Sequence, residues 1–479
     1  MALARRDGIR LPDDLALLAH EPAPFELPDG SGPELLGALH ESLLGRPARR
    51  ARGAFYTPSD VAARLVGWAV EGLDRPVVLD PACGGGAFLL EAARHTDRLI
   101  AIDIDPLAVA VTEAAVLLAT GTRPQVHVRD ALLDAWPAAD VVVGNPPFLG
   151  QLRVDTARTP ARAEALGAAG YVDDAALFLL AAARHAPRVA LLQPESIVSV
   201  AAAAAIRAEL GPRVERIWVP DRPLFDASVR VVGIVLRDGA RGVASWSSVL
   251  ADARGIPPVS LVGHGTLGDG AEVTAGFRDE YYGLAELVAE AGPGAAPLIT
   301  SGLIDPGTCR WGRAPARYGR RTWEAPAVDL AGLSASPLAA WGQRQLVPKV
   351  LVATQTRVIE AVADELGEWL PCTPVLTVIP RSLDLWHVLA ALLAPAASAW
   401  ALRTAGGAAL SADAVKLSAT QLRALPLPAP GADWDAAADA VRRGDLRAAG
   451  AATCRAHGLD DGDALLDWWA ARLPYRDPS

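Results

Sequence analysis

Lysine is almost missing from this 479-residue chain: it occurs at Lys349 and Lys416, so positive charge rests on arginine. Cysteine is scarce too. Its four residues (Cys83, Cys309, Cys372, Cys454) lie far apart. They show no metal-ligand spacing, so no metal site is expected, and they point to a reduced, cytoplasmic setting. No run of about 20 uncharged apolar residues occurs, so no membrane span is expected. The opening Met-Ala-Leu-Ala-Arg-Arg-Asp lacks the continuous apolar core of a signal peptide. Surplus positive charge is also lacking. The formal net charge is −10, so a nucleic-acid partner requires basic charge concentrated locally. What is plentiful is apolar: 51% hydrophobic against 21% charged residues. That supports a large core in two or three domains and argues against general disorder.

The chain is organised around Asp140-Val-Val-Val-Gly-Asn-Pro-Pro-Phe148. Val141 to Val143 form a short apolar run that reads as a buried parallel strand. Two consecutive prolines then forbid a helix start and stiffen the loop. The Asn145 amide, the Pro146 carbonyl and the Phe148 ring are thereby held at the C-terminal edge of a sheet, where open α/β sheets bind ligands. Two acceptors beside an aromatic face suit a planar base with an exocyclic amine. An ordinary Pro-rich turn is the bland alternative.

Other elements follow in order. Leu35, Leu36, Leu39, Leu43 and Leu44 recur at helical spacing in an N-terminal extension, residues 1–52. It ends in an Arg-rich segment, 46–52, that is either a solvated linker or a phosphate clamp. Phe55-Tyr-Thr-Pro58 precedes a helix that Thr57 or Ser59 can cap. Val77-Val-Leu-Asp80 reads as a strand, followed by a Gly-rich turn and a helix. The turn lacks Gly-Lys-[Ser/Thr], so no P-loop phosphate cradle is indicated. The next strand ends at Asp103, about 20 residues after the turn, where an acid accepts ribose hydroxyls; Asp105 is placed to cap the helix that follows. A third strand ends near Asp130. Arg188–Glu195 and Arg216–Pro220 read as strands five and six, and the strand after Phe225 as antiparallel to six, because the connection is too short for a crossover helix. Residues 241–430 hold short β-like runs, a helix-like stretch at Arg357–Leu366, and an Arg-rich segment at Arg310–Arg321 with no acid. Gly312, Pro315 and Gly319 mark that segment as a loop. Residues 431–479 read as helices.

Phe-Tyr-Thr-Pro (55–58), Asp-Pro-Ala-Cys-Gly-Gly-Gly-Ala-Phe (80–88) and Asn-Pro-Pro-Phe (145–148), in that order, resemble the gamma class of DNA adenine-N6 methyltransferases, including the modification halves of some restriction systems. The resemblance covers about 190 residues and implies a Rossmann-like α/β sheet of seven strands, the last antiparallel, over 53–240. It implies a mixed α+β target-recognition domain over 241–430, followed by a helical segment, 431–479. S-adenosylmethionine is the implied cofactor. Tyr56 and Thr57 would pack over its methionine moiety, which Asp80, Ala82 and Gly84 hold. Asp103, with Ile104, would take the ribose, and Asp130 with Ala131 the adenine; Cys83 would be a small packing residue. Asn145, which also borders the cofactor, and Pro146 would bind the target amine, with Pro147 stiffening the loop. Phe148 would stack on an extruded base and Phe225 lie on its other face, unless Phe225 is a core residue at a turn. Arg310, Arg313, Arg317, Arg320 and Arg321 are candidates for double-stranded DNA, or else form a solvated surface. Cytosine-C5 chemistry needs a Pro-Cys nucleophile at the fourth strand, yet Pro371-Cys372 lies far away. Cytosine-N4 enzymes usually carry Ser-Pro-Pro-Tyr. The rivals are a protein-glutamine or ribosomal-RNA methyltransferase and a non-catalytic DNA-specificity subunit. A separate restriction or defence subunit is a conceivable partner, and no fused nuclease is expected.

Overall fold

The computed structural model describes residues 32–43, 57–148, 158–167, 173–225, 230–261, 263–276, 278–407, 414–459 and 462–474. Tyr56 and the Arg-rich segment 46–52 lie outside them. The described chain divides into two compact units, Met1–Trp246 and Ser247–Ser479.

In the first unit the order is α1 (Glu34–Leu43), α2 (Ser59–Val70), β1 (Val78–Asp80), α3 (Ala87–Ala92), β2 (Leu99–Asp103), α4 (Pro106–Thr120), β3 (Gln125–Val128), β4 (Val141–Gly144), α5 (Arg158–Ala165), α6 (Asp174–His185), β5 (Arg188–Pro194), α7 (Ala204–Leu210), β6 (Val214–Trp218) and β7 (Val231–Arg237). The strands form one seven-stranded sheet in the order β3-β2-β1-β4-β5-β7-β6. The expected seven-stranded α/β sheet is thus present. β7 inserts between β5 and β6 and runs antiparallel to both. β1 and β4 are buried on both faces, as continuous Val/Leu runs in a parallel sheet require. Val61, Leu65 and Val66 of α2 pack on Val78, Val141, Val143, Ala190 and Leu192 in one core. Full burial of each such side chain contributes about 1.5–3 kcal/mol.

The chain order reverses between neighbouring strands β1 and β4. Such a reversal opens a crevice at the C-terminal strand ends. Asp80 ends β1 and Asn145 follows β4 directly, so the two strongest motifs meet there.

Helix starts match the capping residues only in part. Asp105 caps α4 by accepting from the Leu107 N–H (2.9 Å), and Asp173 caps α6 through the Ala175 N–H (2.9 Å). Neither Thr57 nor Ser59 caps α2, whose N-cap is Pro58 without a side-chain bond. Thr57 serves another purpose, described below. α1 lies against α4 and touches the Gly-rich turn: a Cβ on Gly37 would come within 2.7 Å of the Gly85 carbonyl oxygen.

In the second unit, a four-stranded antiparallel sheet (order Ala361–Asp364, Lys349–Val352, Leu376–Pro380, Ala271–Ala275) shares a core with the helices Leu385–Leu393, Pro395–Ala405, Ala432–Arg442 and Leu446–Ala456. The unit also holds a second four-stranded sheet, two short hairpins and further helices. Two expectations are corrected here. The stretch Arg357–Leu366 is not helical; its Ala361–Asp364 portion is a strand paired with Lys349–Val352, and a buried Lys349–Asp364 ion pair ties the two ends. Short apolar runs are ambiguous by periodicity, and here strand pairing decides. The Arg310–Arg321 segment is likewise not a plain loop: Ala316–Tyr318 pairs with Arg321–Trp323 as a hairpin. Among the described residues no single helix is long and apolar enough to cross a membrane.

Candidate active site

The Gly-rich turn is held from below by two aspartates. Asp80, buried at the end of β1, accepts from the Ala82 N–H through Oδ1 (3.0 Å). Gly144 of β4 lies so close that a Cβ there would sit 2.7 Å from this Oδ1. Asp103, at the end of β2, accepts from the Gly84 N–H through Oδ2 and from the Asp105 N–H through Oδ1, both at 2.9 Å. The Cys83 N–H donates to the Ile102 carbonyl (3.0 Å), which pins the turn to β2. Burial pushes Asp80 up to about 8; the Ala82 N–H opposes the rise and the nearby Asp103 charge adds to it. Burial also raises Asp103, against the backbone N–H groups of Asp105, Gly84 and Ile104. The Cys83 thiol is buried and pushed well up by desolvation, as a packing residue rather than a nucleophile would be.

On the other side of the crevice, the Asn145 Nδ2 donates to Thr57 Oγ1 at 3.1 Å, across 88 residues of chain. Thr57 is buried. Because the amide nitrogen is committed to Thr57, the Oδ1 branch points away from that hydroxyl. Pro146 is buried and Pro147 half-buried. The Phe148 and Phe225 rings are 6.4 Å apart, centroid to centroid, with 57° between their planes. That is direct aromatic contact. A base stacked between them requires the rings to part.

Asp130 follows β3, and the next-door Arg129 N–H donates to the Asp103 carbonyl (2.9 Å), so the ends of β2 and β3 are tied together. Asp130 Oδ1 accepts from the Leu132 N–H (3.1 Å). Its Oδ2 accepts from Arg162 Nη2 (2.7 Å) and Nε (3.2 Å). The third arm of the guanidinium, Nη1, donates to the wholly buried Asp174. Ala131 is buried, whereas Ile104, just past β2, is an exposed apolar side chain. Sequence reasoning missed Arg162. It lies on the short helix α5, and no motif marks it.

Residues 31–210 match the N-6 DNA Methylase family model. This part of the chain is similar to that family. The chain is 24% identical over 216 residues to the type II methyltransferase M.VspI of Vibrio sp. (strain 343), a stretch that is 43% of this chain and 52% of the relative. It is 32% identical over 113 residues to the type II methyltransferase M.XamI of Xanthomonas campestris pv. amaranthicola, 22% of this chain and 21% of that one. The match thus spans about half of the first relative and about a fifth of the second. Among solved structures, the type IIG restriction endonuclease BpuSI superposes with a TM-score of 0.43 and 14% identity, covering 92% of this chain and 69% of that one.

S-adenosylmethionine is the cofactor expected from this likeness. The residues present fit it: a buried acid beside the turn for an ammonium, a second acid for hydroxyls, and a third for an amine. Asp80, Ala82, Gly84, Asp103, Ile104, Asp130 and Ala131 all lie on or just past the ends of β1, β2 and β3, and Asn145 to Phe148 follow β4.

A pH response follows from Asp80. Its ordinary value is 3.8 and its folded value about 8. Between these pH values the folded domain keeps a proton that the unfolded chain has released, so stability falls as pH rises through the window. A cofactor ammonium placed at Asp80 would favour the carboxylate and oppose that loss. The expected result is a thermal shift on cofactor addition that is larger at pH 8 than at pH 6, and a flatter dependence in Asp80→Asn. Equal shifts at both values would remove Asp80 from the ammonium site.

The arginines of the second unit differ among themselves. Arg310 is tied to Asp305 (3.2 Å) and to the Gly302 carbonyl (2.7 Å), so it serves its own unit's structure. Arg313, Arg317, Arg320 and Arg321 are exposed, with Arg321 over the Trp323 ring at 4.8 Å. Tyr318 pairs with Arg321, which leaves Gly319-Arg320 as a two-residue tip with φ of 57° and 65°. Positive φ at both positions defines a type I′ turn. For arginine it is a sparsely populated conformation.

Proposed function

We propose that the protein is a site-specific DNA methyltransferase that moves a methyl group from S-adenosylmethionine to N6 of an adenine rotated out of the duplex. The observation that carries this reading is the Asn145 amide held by Thr57 directly beside the Asp80 turn, within a domain similar to the N-6 DNA methylase family. The cofactor supplies an electrophilic methyl on a sulfonium. Asn145 Oδ1 and the Pro146 carbonyl accept from the two amine hydrogens. The nitrogen lone pair, otherwise delocalised into the ring, is drawn toward sp³ and aimed at the methyl. Phe148 stacks on the base, and Phe225 closes on its other face once the two rings separate. Extrusion costs a few kcal/mol, and aromatic stacking returns ~1–3 kcal/mol of it.

Double-stranded DNA is the proposed substrate. Relatives named as methylase subunits of type I restriction enzymes support a separate restriction or defence subunit as partner. All four cysteines are free thiols, in keeping with a cytoplasmic setting. The direct test is to sequence DNA from a host expressing the protein, with modified-base detection. N6-methyladenine at one short site is expected. Its absence, with a methylated glutamine or ribosomal-RNA base instead, would overturn the reading.

The exposed arginines at and near the hairpin are the proposed DNA contacts; Arg310, exposed but tied to Asp305 and the Gly302 carbonyl, ranks below the others. An acidic protein needs such local charge, and a rigid tip lets Arg320 and Arg321 reach phosphates or guanine edges. Each lost phosphate contact flattens the log K versus log[salt] slope by roughly 0.9. Arg320→Ala with Arg321→Ala is expected to flatten it by nearly two units. Unchanged affinity, slope and sequence preference would take the hairpin off the DNA and leave the 46–52 segment as the next candidate.

A further inference from the structure

Arg162 joins two acids that have no obvious need of each other. One is Asp174 in the first turn of α6, wholly buried. The other is Asp130, at the adenine end of the proposed pocket, only slightly exposed like Arg162 itself. The guanidinium reaches Asp130 through two N–H groups on the same oxygen, Oδ2. A carboxylate oxygen offers about two lone pairs, so Oδ2 is fully taken. The other oxygen, Oδ1, holds one backbone N–H from Leu132 and keeps capacity for one more donor. Arg162 therefore does more than neutralise charge. It fixes which oxygen is available and leaves a site that accepts a hydrogen bond and offers none.

We propose that Arg162 is a positioning residue that orients Asp130 toward the amine of the cofactor's purine, and so sets a preference for adenine over an oxo-purine at that end of the pocket. The proposal rests on the assignment of Asp130 to the adenine amine. An amine at C6 donates to Oδ1. An oxo group there brings an acceptor against an acceptor, which leaves both sides unsatisfied in a partly buried place. Without Arg162 only the Leu132 N–H still holds the carboxylate, and the distinction between its two oxygens weakens. Lysine cannot replace the guanidinium, because a single ammonium lacks the planar fork that puts two donors on Oδ2 while a third reaches Asp174.

The test compares two non-reacting ligands by calorimetry: S-adenosylhomocysteine and S-inosylhomocysteine, which carries an oxo group in place of the amine. The ratio of their dissociation constants does not depend on how much protein is folded. Wild type is expected to prefer the adenosyl ligand by ten- to a hundredfold, the value of one hydrogen bond to a charged group. Arg162→Gln should cut that ratio by about tenfold. Arg162→Lys should resemble it, and serves as the variant to measure if Arg162→Gln fails to fold. Asp130→Asn should collapse the ratio alone, and adding Arg162→Gln to it should cost nothing further. A ratio that survives in the Arg162 variants but collapses in Asp130→Asn overturns the positioning role and leaves the Asp130 assignment standing. A ratio that survives in Asp130→Asn overturns that assignment as well.

Discussion

Asn145→Ala is expected to lower the single-turnover methylation rate by about 10²-fold or more while cofactor affinity stays near wild type. The split follows from where the side chain works. An acceptor on the target amine matters little before the nitrogen pyramidalises and most when positive charge develops on it. Thr57 sharpens the test. It takes the Asn145 Nδ2–H at 3.1 Å and thereby decides which end of the amide faces away from it. Thr57→Val keeps the shape and deletes the acceptor. A loss of one neutral hydrogen bond, ~0.5–1.5 kcal/mol, predicts a rate reduced by up to about tenfold. If Asn145→Ala methylates at near wild-type rate, the Asn-Pro-Pro-Phe mechanism is wrong. If only Thr57→Val is silent, the amide is oriented by something else.

What was legible in the sequence was what the backbone alone dictates. Two prolines after a buried valine run leave few conformations, and the loop sits where that constraint puts it, past β4. A glycine-rich turn between an apolar strand and a helix has one familiar geometry. Asp103 and Asp105 posed a choice, and the structure divides the roles: Asp105 caps α4 while Asp103 turns back to the Gly84 N–H. The misses are side-chain contacts between distant segments, which no local pattern encodes. Arg162 finds Asp130 32 residues away and Asp174 12 away. Gly37 of α1 touches Gly85, so a helix read as an extension abuts the turn. The Arg357–Leu366 stretch failed for another reason. Its apolar residues suit either periodicity, and pairing with Lys349–Val352 settles it as strand. Gly and Pro in the Arg310–Arg321 segment marked a turn correctly but not the strands on either side of it.

The second large effect is expected at Asp103. Asp103→Ala should weaken S-adenosylmethionine binding by about tenfold or more, since hydrogen bonds that a carboxylate accepts from hydroxyls contribute ~1.5–3 kcal/mol each. The structure adds a reason for the loss to exceed this. Both carboxylate oxygens already carry backbone N–H groups, from Gly84 and Asp105. Removing the carboxylate frees the turn that approaches the cofactor and leaves two part-buried donors without acceptors, at about 1–3 kcal/mol each. Melting temperature should therefore fall together with affinity. Asp105→Ala is the matched control: it removes an equal charge two residues away and costs α4 its cap, about 1 kcal/mol. It retains the Asp105 N–H that Asp103 uses. Stability should drop in that variant while cofactor affinity holds. Calorimetric titration of both variants at a temperature where each is folded separates the two effects. Equal affinity in Asp103→Ala and wild type would remove Asp103 from the ribose site. Equal losses in Asp103→Ala and Asp105→Ala would reduce its role to shaping the turn.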